Sequence, residues 1–542
     1  MKKVLFLSII FFFFVQITPL FSQDSITSVV FNRNTATITG SGAVFSNGTL
    51  TINRPGTYTF SGRLDNGRIL TNLARNDTIR FIFNGLNLHS ATGPAIHVPR
   101  SREVIIVLEA GTENTVSDGR QSRNDYHNAA IFVQHDLSIQ GNGTLTVNGN
   151  YHHGIRAQDI LTINSGIFNV TALGDALRGR DGVIINNGRF NLNANGDGIQ
   201  SNNPGGDNIG FVNISGGIFN IRAGNDGIQA ESILTISGGT FNIVCGGGHT
   251  MAPPRPVSAG RGRRVIPQAP TPESESMKGL KARTLVYITS GSFTIDAADD
   301  GIHSDNDIHI AGGTFIIRTG DDGIHADNNV LISGGNINIV HSYEGIEGRT
   351  VTISGGNIRV FAMDDGINAA GGTSRNDMYI RITGGIIDVV VPATGDTDGF
   401  DSNGNIFLEG GTLRISGGSQ IFAGAIDLDG QFIITGGELI TAGAIQSVST
   451  SSTQPVILVS YTANQSQGSV ISIRDRAGNT VLSYTSEVPF SVSGFTSPAF
   501  RIGETYTLFI NNARQTDILL GSAITRISNT GGTYNAGGRG RW

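Results

Sequence analysis

The residues with most chemistry to offer are acids set beside glycines. Asp299-Asp300-Gly301-Ile302-His303, Asp321-Asp322-Gly323-Ile324-His325, Glu344-Gly345-Ile346-Glu347 and Asp364-Asp365-Gly366-Ile367-Asn368 repeat one phrase, and its acid recurs after 22, 22 and 21 residues. Further copies stand at Asp175-Ala176-Leu177, Asp197-Gly198-Ile199, Asp226-Gly227-Ile228 and Asp398-Gly399-Phe400. If each period stacks on the last, these acids form a column with neighbours roughly 4.8 Å apart. Like charges so close raise one another's pKa unless something neutralises them. Five residues after the corner come further oxygen donors, at Asn202, Glu231, Asp305, Asp327 and Asn403. Hard oxygens clustered this way suit Ca2+, which accepts about six to eight of them in flexible geometry. The candidate metal ligands are Asp197, Asp226, Asp299, Asp300, Asp305, Asp321, Asp322, Asp327, Glu344, Glu347, Asp364, Asp365 and Asp398. Several structural Ca2+ ions would then staple the rungs. The competing reading is that each aspartate caps its own glycine turn by accepting backbone N–H groups. His303 and His325 suit Zn2+ better, but the oxygens around them do not; they are read as exposed residues facing a ligand.

The elements that must position these acids are short strands. Between corners recurs a second phrase, Ile310-Ala311-Gly312-Gly313-Thr314-Phe315, Ile332-Ser333-Gly334-Gly335-Asn336-Ile337 and Ile353-Ser354-Gly355-Gly356-Asn357-Ile358. Alternating, β-branched segments such as Leu234-Thr235-Ile236-Ser237 read as strands. A period near 22 with glycine corners marks a solenoid, and the leucine and asparagine template of a leucine-rich repeat is missing. The expected fold is all-β: a right-handed parallel β-helix with a small C-terminal antiparallel β unit. Degenerate corners at Arg68-Ile69, Ala95-Ile96, Ala130-Ile131, His153-Gly154-Ile155, Ala425-Ile426 and Ala444-Ile445 extend the coil in both directions. About 15 rungs would make a rod about 70 Å long. Phe168, Phe190, Phe219, Phe241, Phe293 and Phe315, followed by Ile337 and Ile358, hold one place in successive rungs. That column is expected to point inward as a dry core rather than to stack on sugars.

The flanks differ from the coil. Lys2-Lys3, the apolar run Val4 to Val15 and Pro19 to Ser22 read as a secretory signal peptide over 1–22, too short in its apolar part to span a membrane. The coil itself is assigned to 23–447. Lys278 falls 22 residues before Asp300 and takes the place of the acid, so a Pro- and Arg-rich loop of about 246–276 is inserted into one rung. After the Ser/Thr-rich linker Ser447 to Thr453 the period disappears; 454–528 reads as a small β unit and 529–542 as a disordered tail holding Trp542. The single cysteine, Cys245, excludes an internal disulfide framework. The net charge of −6 becomes −8 without Lys2 and Lys3, which argues against a nucleic-acid partner. The 75 glycines in 542 residues are about twice the usual 7% and are assigned to tight corners with positive φ.

Gly320-Asp321-Asp322-Gly323-Ile324-His325-Ala326-Asp327, Ser342-Tyr343-Glu344-Gly345-Ile346-Glu347-Gly348 and Asp364 to Gly372 resemble the bacterial secreted carbohydrate-binding β-helix family. The early Glu109-Ala110-Gly111-Thr112-Glu113-Asn114-Thr115, the Gly143 to Asn150 stretch and the C-terminal Asp475-Arg476-Ala477-Gly478-Asn479 are similar to it as well. The resemblance covers nearly all of 26–520. It implies a pectate-lyase-like fold, calcium between rungs, and binding of cellulose or pectic polysaccharides such as polygalacturonate without cleavage. The insertion and Asp175-Ala176 depart from the pattern. The expected protein is thus an exported monomer with a polysaccharide partner, no membrane span and no catalytic residue. Two other functions compete. A calcium-dependent lyase needs a positioned base to remove the proton α to a uronate carboxylate, and Arg178, Lys278, Lys281 and Arg349 lie near the seam. A structural surface or adhesion solenoid would need no sugar ligand. Acid pairs spaced for glycoside hydrolysis occur anywhere along such a column and discriminate nothing.

Overall fold

The computed structural model describes residues 26–119, 126–206, 208–252, 276–419 and 423–532. Three strands per turn stack on their counterparts in the next turn, making three parallel ladders. The first holds three-residue strands behind the acidic corners, such as Ile199–Ser201, Ile228–Ala230, Leu280–Ala282 and Ile302–Ser304. The second holds Gly182–Ile185, Phe211–Ile214 and Ile233–Ile236. The third holds the longest, including Arg189–Ala194, Ile218–Ala223, Thr240–Cys245 and Ser292–Ala297. The chain is therefore a parallel β-solenoid. His249–Met251 is the one helical turn among the described residues, and none of their helices is long and apolar enough to cross a membrane, which says nothing of a β-barrel.

Alternation decides which residues enter the core. Third-ladder strands read exposed-buried-exposed, since successive side chains leave opposite faces of a strand. Phe168, Phe190, Phe219, Phe241, Phe293 and Phe315 are in direct register and at most 1% exposed. Their rings lie parallel within 6°, with centroids 4.6 to 5.1 Å apart. Leu280 pairs directly with Ile228, so the insertion leaves the coil after Cys245 and rejoins it without breaking a ladder. Its residues 253–275, like 1–25 and 533–542, lie outside the described residues, and with them the proposed signal peptide and Trp542.

Glycine serves two different needs. Positive φ belongs to the Gly-Gly turn before the third ladder, as at Gly239 (φ 114°) and Gly313 (φ 107°). The Asp-Gly corners have no such φ, contrary to the sequence expectation. There, rungs approach so closely that a Cβ on Gly323 would lie 2.6 Å from the Gly345 carbonyl oxygen. Ala176 and Ala425 hold equivalent places, so the column admits a methyl group in some rungs.

Both ends are covered, as an unpaired terminal rung would otherwise expose its backbone. Thr27–Arg33 lies parallel on Gly56–Leu64 and antiparallel to Thr35–Thr39. At the other end Phe490–Thr496 pairs antiparallel with Glu438–Ala442. A four-stranded antiparallel sheet of Val470–Arg474, Thr480–Thr485, Thr505–Ile510 and Ala513–Leu519 builds its own core beside it. The supposed linker is part of the coil: Ser449 and Thr453 donate backbone N–H bonds to Phe432 and Ile434 on the edge of the second ladder. Residues 530–532 form an ordered turn, with Gly531 N–H donating to the Ser528 carbonyl at 3.0 Å.

Candidate functional site

The corner acids are brought into one column and largely buried: Asp175, Asp197, Asp226, Asp300, Asp322 and Asp398 are 2 to 6% exposed. Each spends one carboxylate oxygen on its neighbour's backbone. Oδ1 of Asp175 accepts the N–H of Asp197 at 3.0 Å, Asp197 that of Asp226 at 2.9 Å, and Asp226 that of Lys278 at 2.8 Å. The chain resumes from Asp300 to Asp322 at 3.1 Å and from Asp322 to Glu344 at 3.2 Å. It ends with Asp365 to Asp398 and Asp398 to Gly424, both 2.8 Å. The aspartates therefore cap the next rung and not their own turn. Charge-assisted bonds of this kind are stronger than neutral ones, and the second oxygen of each acid remains for another partner.

That partner comes from a column the sequence reading passed over. Three residues after each corner position, one outward side chain per first-ladder strand stands in register: Arg178, Gln200, Gln229, Lys281, His303, His325, Glu347, Asn368, Asp401 and Asp427. Its character changes along the rod. Arg178 Nη1 lies 3.0 Å from Asp175 Oδ2, and the Gln200 amide donates to Asp197. In the middle, Lys278 Nζ bridges Asp300 Oδ2 at 2.6 Å and Asp299 Oδ2 at 2.9 Å, while Lys281 lies 3.6 Å from Asp226. His303 Nδ1 meets Asp300 Oδ2 at 2.8 Å, and His325 Nδ1 meets Asp322 Oδ2 at 3.3 Å. Beyond His325 the column turns acidic, with Glu347, Asp401 and Asp427.

The titration of these groups follows the same change. Burial alone would raise Asp300, yet the His303 hydrogen bond and the Lys278 ammonium hold it well below the usual carboxylate range. Burial opposes charge on His325 too, but the Asp322 bond and the nearby acids lift it to about 9. Toward the acidic end the balance reverses. Burial and then the Asp322 and Glu347 charges push Glu344 up to about 10; burial and then Asp401 push Asp365 up to about 9. Asp197 is also raised, by burial and by Asp226 and Asp175 on either side.

Among the described residues, two all-carboxylate groups of three have oxygens within 4.8 Å of one another: Asp299, Asp300 and Asp321, and Asp398, Asp401 and Asp427. The first already holds the Lys278 ammonium. The second has the all-oxygen donor set Ca2+ prefers; Asp401 and Asp427 hold the place of Glu347 on later rungs, and of that column's acids the sequence reading singled out Glu347 alone. Mixed groups bring His325 to Asp322 and Glu347, and to Asp300 and His303. Asp305 and Asp327 are not gathered with the corner acids. They flank the histidines, Asp305 at 3.1 Å from His303 Nε2 and Asp327 at 3.6 Å from His325 Nε2. Nor are the histidines exposed as expected: the His303 side chain is 12% accessible and ion-paired on both ring nitrogens.

A family model described as carbohydrate-binding domain-containing protein matches residues 46–323 and 321–460. A carbohydrate-binding domain-containing protein of Acetivibrio thermocellus is 32% identical over 126 residues, 22% of this chain and 44% of the relative, so less than half of that protein's length is matched. Among solved structures, a polysaccharide lyase-like protein from C. thermocellum, determined as a gadolinium derivative, shares 21% identity at a TM-score of 0.36 over 57% of this chain and 97% of that one.

Proposed function

The chain belongs to the family of carbohydrate-binding domain-containing proteins, and from that premise we propose that it is an exported, non-catalytic polysaccharide-binding protein stabilised by calcium. The observation that carries the calcium reading is the Asp398, Asp401 and Asp427 group, whose carboxylate oxygens lie within 4.8 Å of one another, with Asp365 on the preceding rung. Calcium bound there would neutralise the acidic end of the seam as Lys278 neutralises its middle. An ion with an open coordination position could also meet a glycan oxygen, which connects the seam to cellulose- or pectin-like ligands.

Non-catalytic action is supported by the state of three of the four candidate bases, Arg349 being the exception. Arg178 is committed to Asp175, Lys278 to Asp299 and Asp300, and Lys281 to Asp226. Burial opposes charge on Lys278, but Asp300 and Asp299 raise its pKa above the ordinary lysine value, the wrong direction for a general base. Retention on insoluble cellulose and on pectate, with Ca2+ and with EDTA, tests the binding. Absorbance of unsaturated uronides in the same samples tests for cleavage. Retention without product is expected; steady product formation, or background retention on every glycan, would overturn the reading.

A further inference from the structure

The outward face of the third ladder carries a strip quite unlike the acidic seam. Thr115, Thr146, Asn169, Asn191, Asn220 and Asn242 are in direct register on successive rungs. The four asparagines floor an open groove of about 430 Å³. Their amides are chained: Asn191 Nδ2 donates to Asn169 Oδ1 at 2.8 Å, and Asn220 Nδ2 to Asn191 Oδ1 at 3.1 Å. A carboxamide has two N–H groups and two lone pairs. Asn191 uses one of each in this chain, which fixes the plane of its amide and leaves it one further donor and one further acceptor. The wall adds Thr171, Asn193, Arg222 and Val244; no carboxylate lines the groove.

We propose that this asparagine-floored groove is the binding site for an extended neutral polysaccharide, laid along the solenoid axis. The inference rests on the carbohydrate-binding reading above and adds the face and the ligand class. Neutral hydroxyl-rich chains fit because each sugar hydroxyl both donates and accepts, as each amide does, and the repeat of roughly 4.8 Å presents that pair at regular steps. A polyuronate gains little here, where Arg222 is the one cationic lining residue. The run of adjacent amides stops at Asn242: the column continues through Thr294, Ile316 and a single Asn338 to Arg359, which is held by Glu487 of the C-terminal unit.

The test is calorimetric titration of the full chain with cellohexaose, xylohexaose, mannohexaose and hexagalacturonate, for the wild type, N191A/N220A and N193R. The first variant removes two floor amides; the second blocks the groove from an exposed wall position and leaves the amide chain in place. At least one neutral hexaose should bind wild type, and both variants should weaken it by about tenfold or more. Calcium-dependent hexagalacturonate binding, where present, should be unchanged. Neutral binding untouched by N193R, or binding of hexagalacturonate alone, would overturn this site while leaving the carbohydrate-binding reading intact. Failure of every glycan would overturn both.

Discussion

Asp300 is 2% exposed and keeps its charge because Lys278 and His303 converge on its Oδ2. Removing one member of a buried ion pair leaves the other uncompensated and costs about 3 kcal/mol. Lys278→Met should therefore lower stability by about that amount in urea unfolding with EDTA present; an unchanged midpoint would contradict the pairing. The seam also sets a pH dependence. His325 is raised in the folded state, so its contribution is complete below the unfolded value near 6.5 and is lost as pH rises through about 9. Glu344, raised to about 10, works in the same direction, because above its unfolded value the folded protein holds a proton that the unfolded chain releases. In EDTA the melting temperature should fall between pH 6.5 and 9, and His325→Gln should reduce that fall; a rise over this range would refute the assignment. The corner acids themselves could be read from the sequence, because an acid every 22 residues in a stacked coil has to form a column. Their hydrogen bonds could not. Whether Asp322 caps Gly323 or reaches the N–H of Glu344 depends on backbone geometry across two rungs, which lie far apart in the chain.

The ladders are the elements on which those residues depend, and the third carries most of the aromatic core. Phe241 is 1% exposed, with rings stacked on both sides at 4.6 and 4.8 Å. Phe241→Ala should destabilise by about 3–5 kcal/mol, since the cavity lies between two rigid rungs and closes poorly; urea denaturation measures it, and a loss below 1 kcal/mol would mean the stack relaxes freely. This stack was legible because phenylalanine repeats at one offset from the Gly-Gly turn. The first-ladder column from Arg178 to Asp427 was not, because its chemistry changes from rung to rung and only register joins a glutamine to a lysine and a histidine. The asparagine strip was as legible as the phenylalanine column, since each of its members directly follows one of those phenylalanines, but the sequence reading followed the inward residue. Ser449 and Thr453 looked like a linker because the stretch is rich in Ser and Thr, yet backbone bonds and the Ser449 and Ser452 hydroxyls tie it to the second ladder.

For the molecule as a whole, one solenoid presents two faces of opposite chemistry: a buried acidic seam neutralised partly from within, and a neutral amide groove open to solvent. On the calcium reading proposed above, an ion held at Asp398, Asp401 and Asp427 would stabilise the rod. A ligand that binds only the folded state stabilises it by mass action. The most direct measurement is a thermal melt at pH 8 of protein stripped with EDTA and shown by metal analysis to be empty, before and after Ca2+ is added back, beside D401N/D427N. A reversible rise of several degrees in the wild type, largely lost in the double variant, is the predicted result. No rise in the wild type would contradict calcium at the seam, and the corner acids would then serve only to tie each rung to the next.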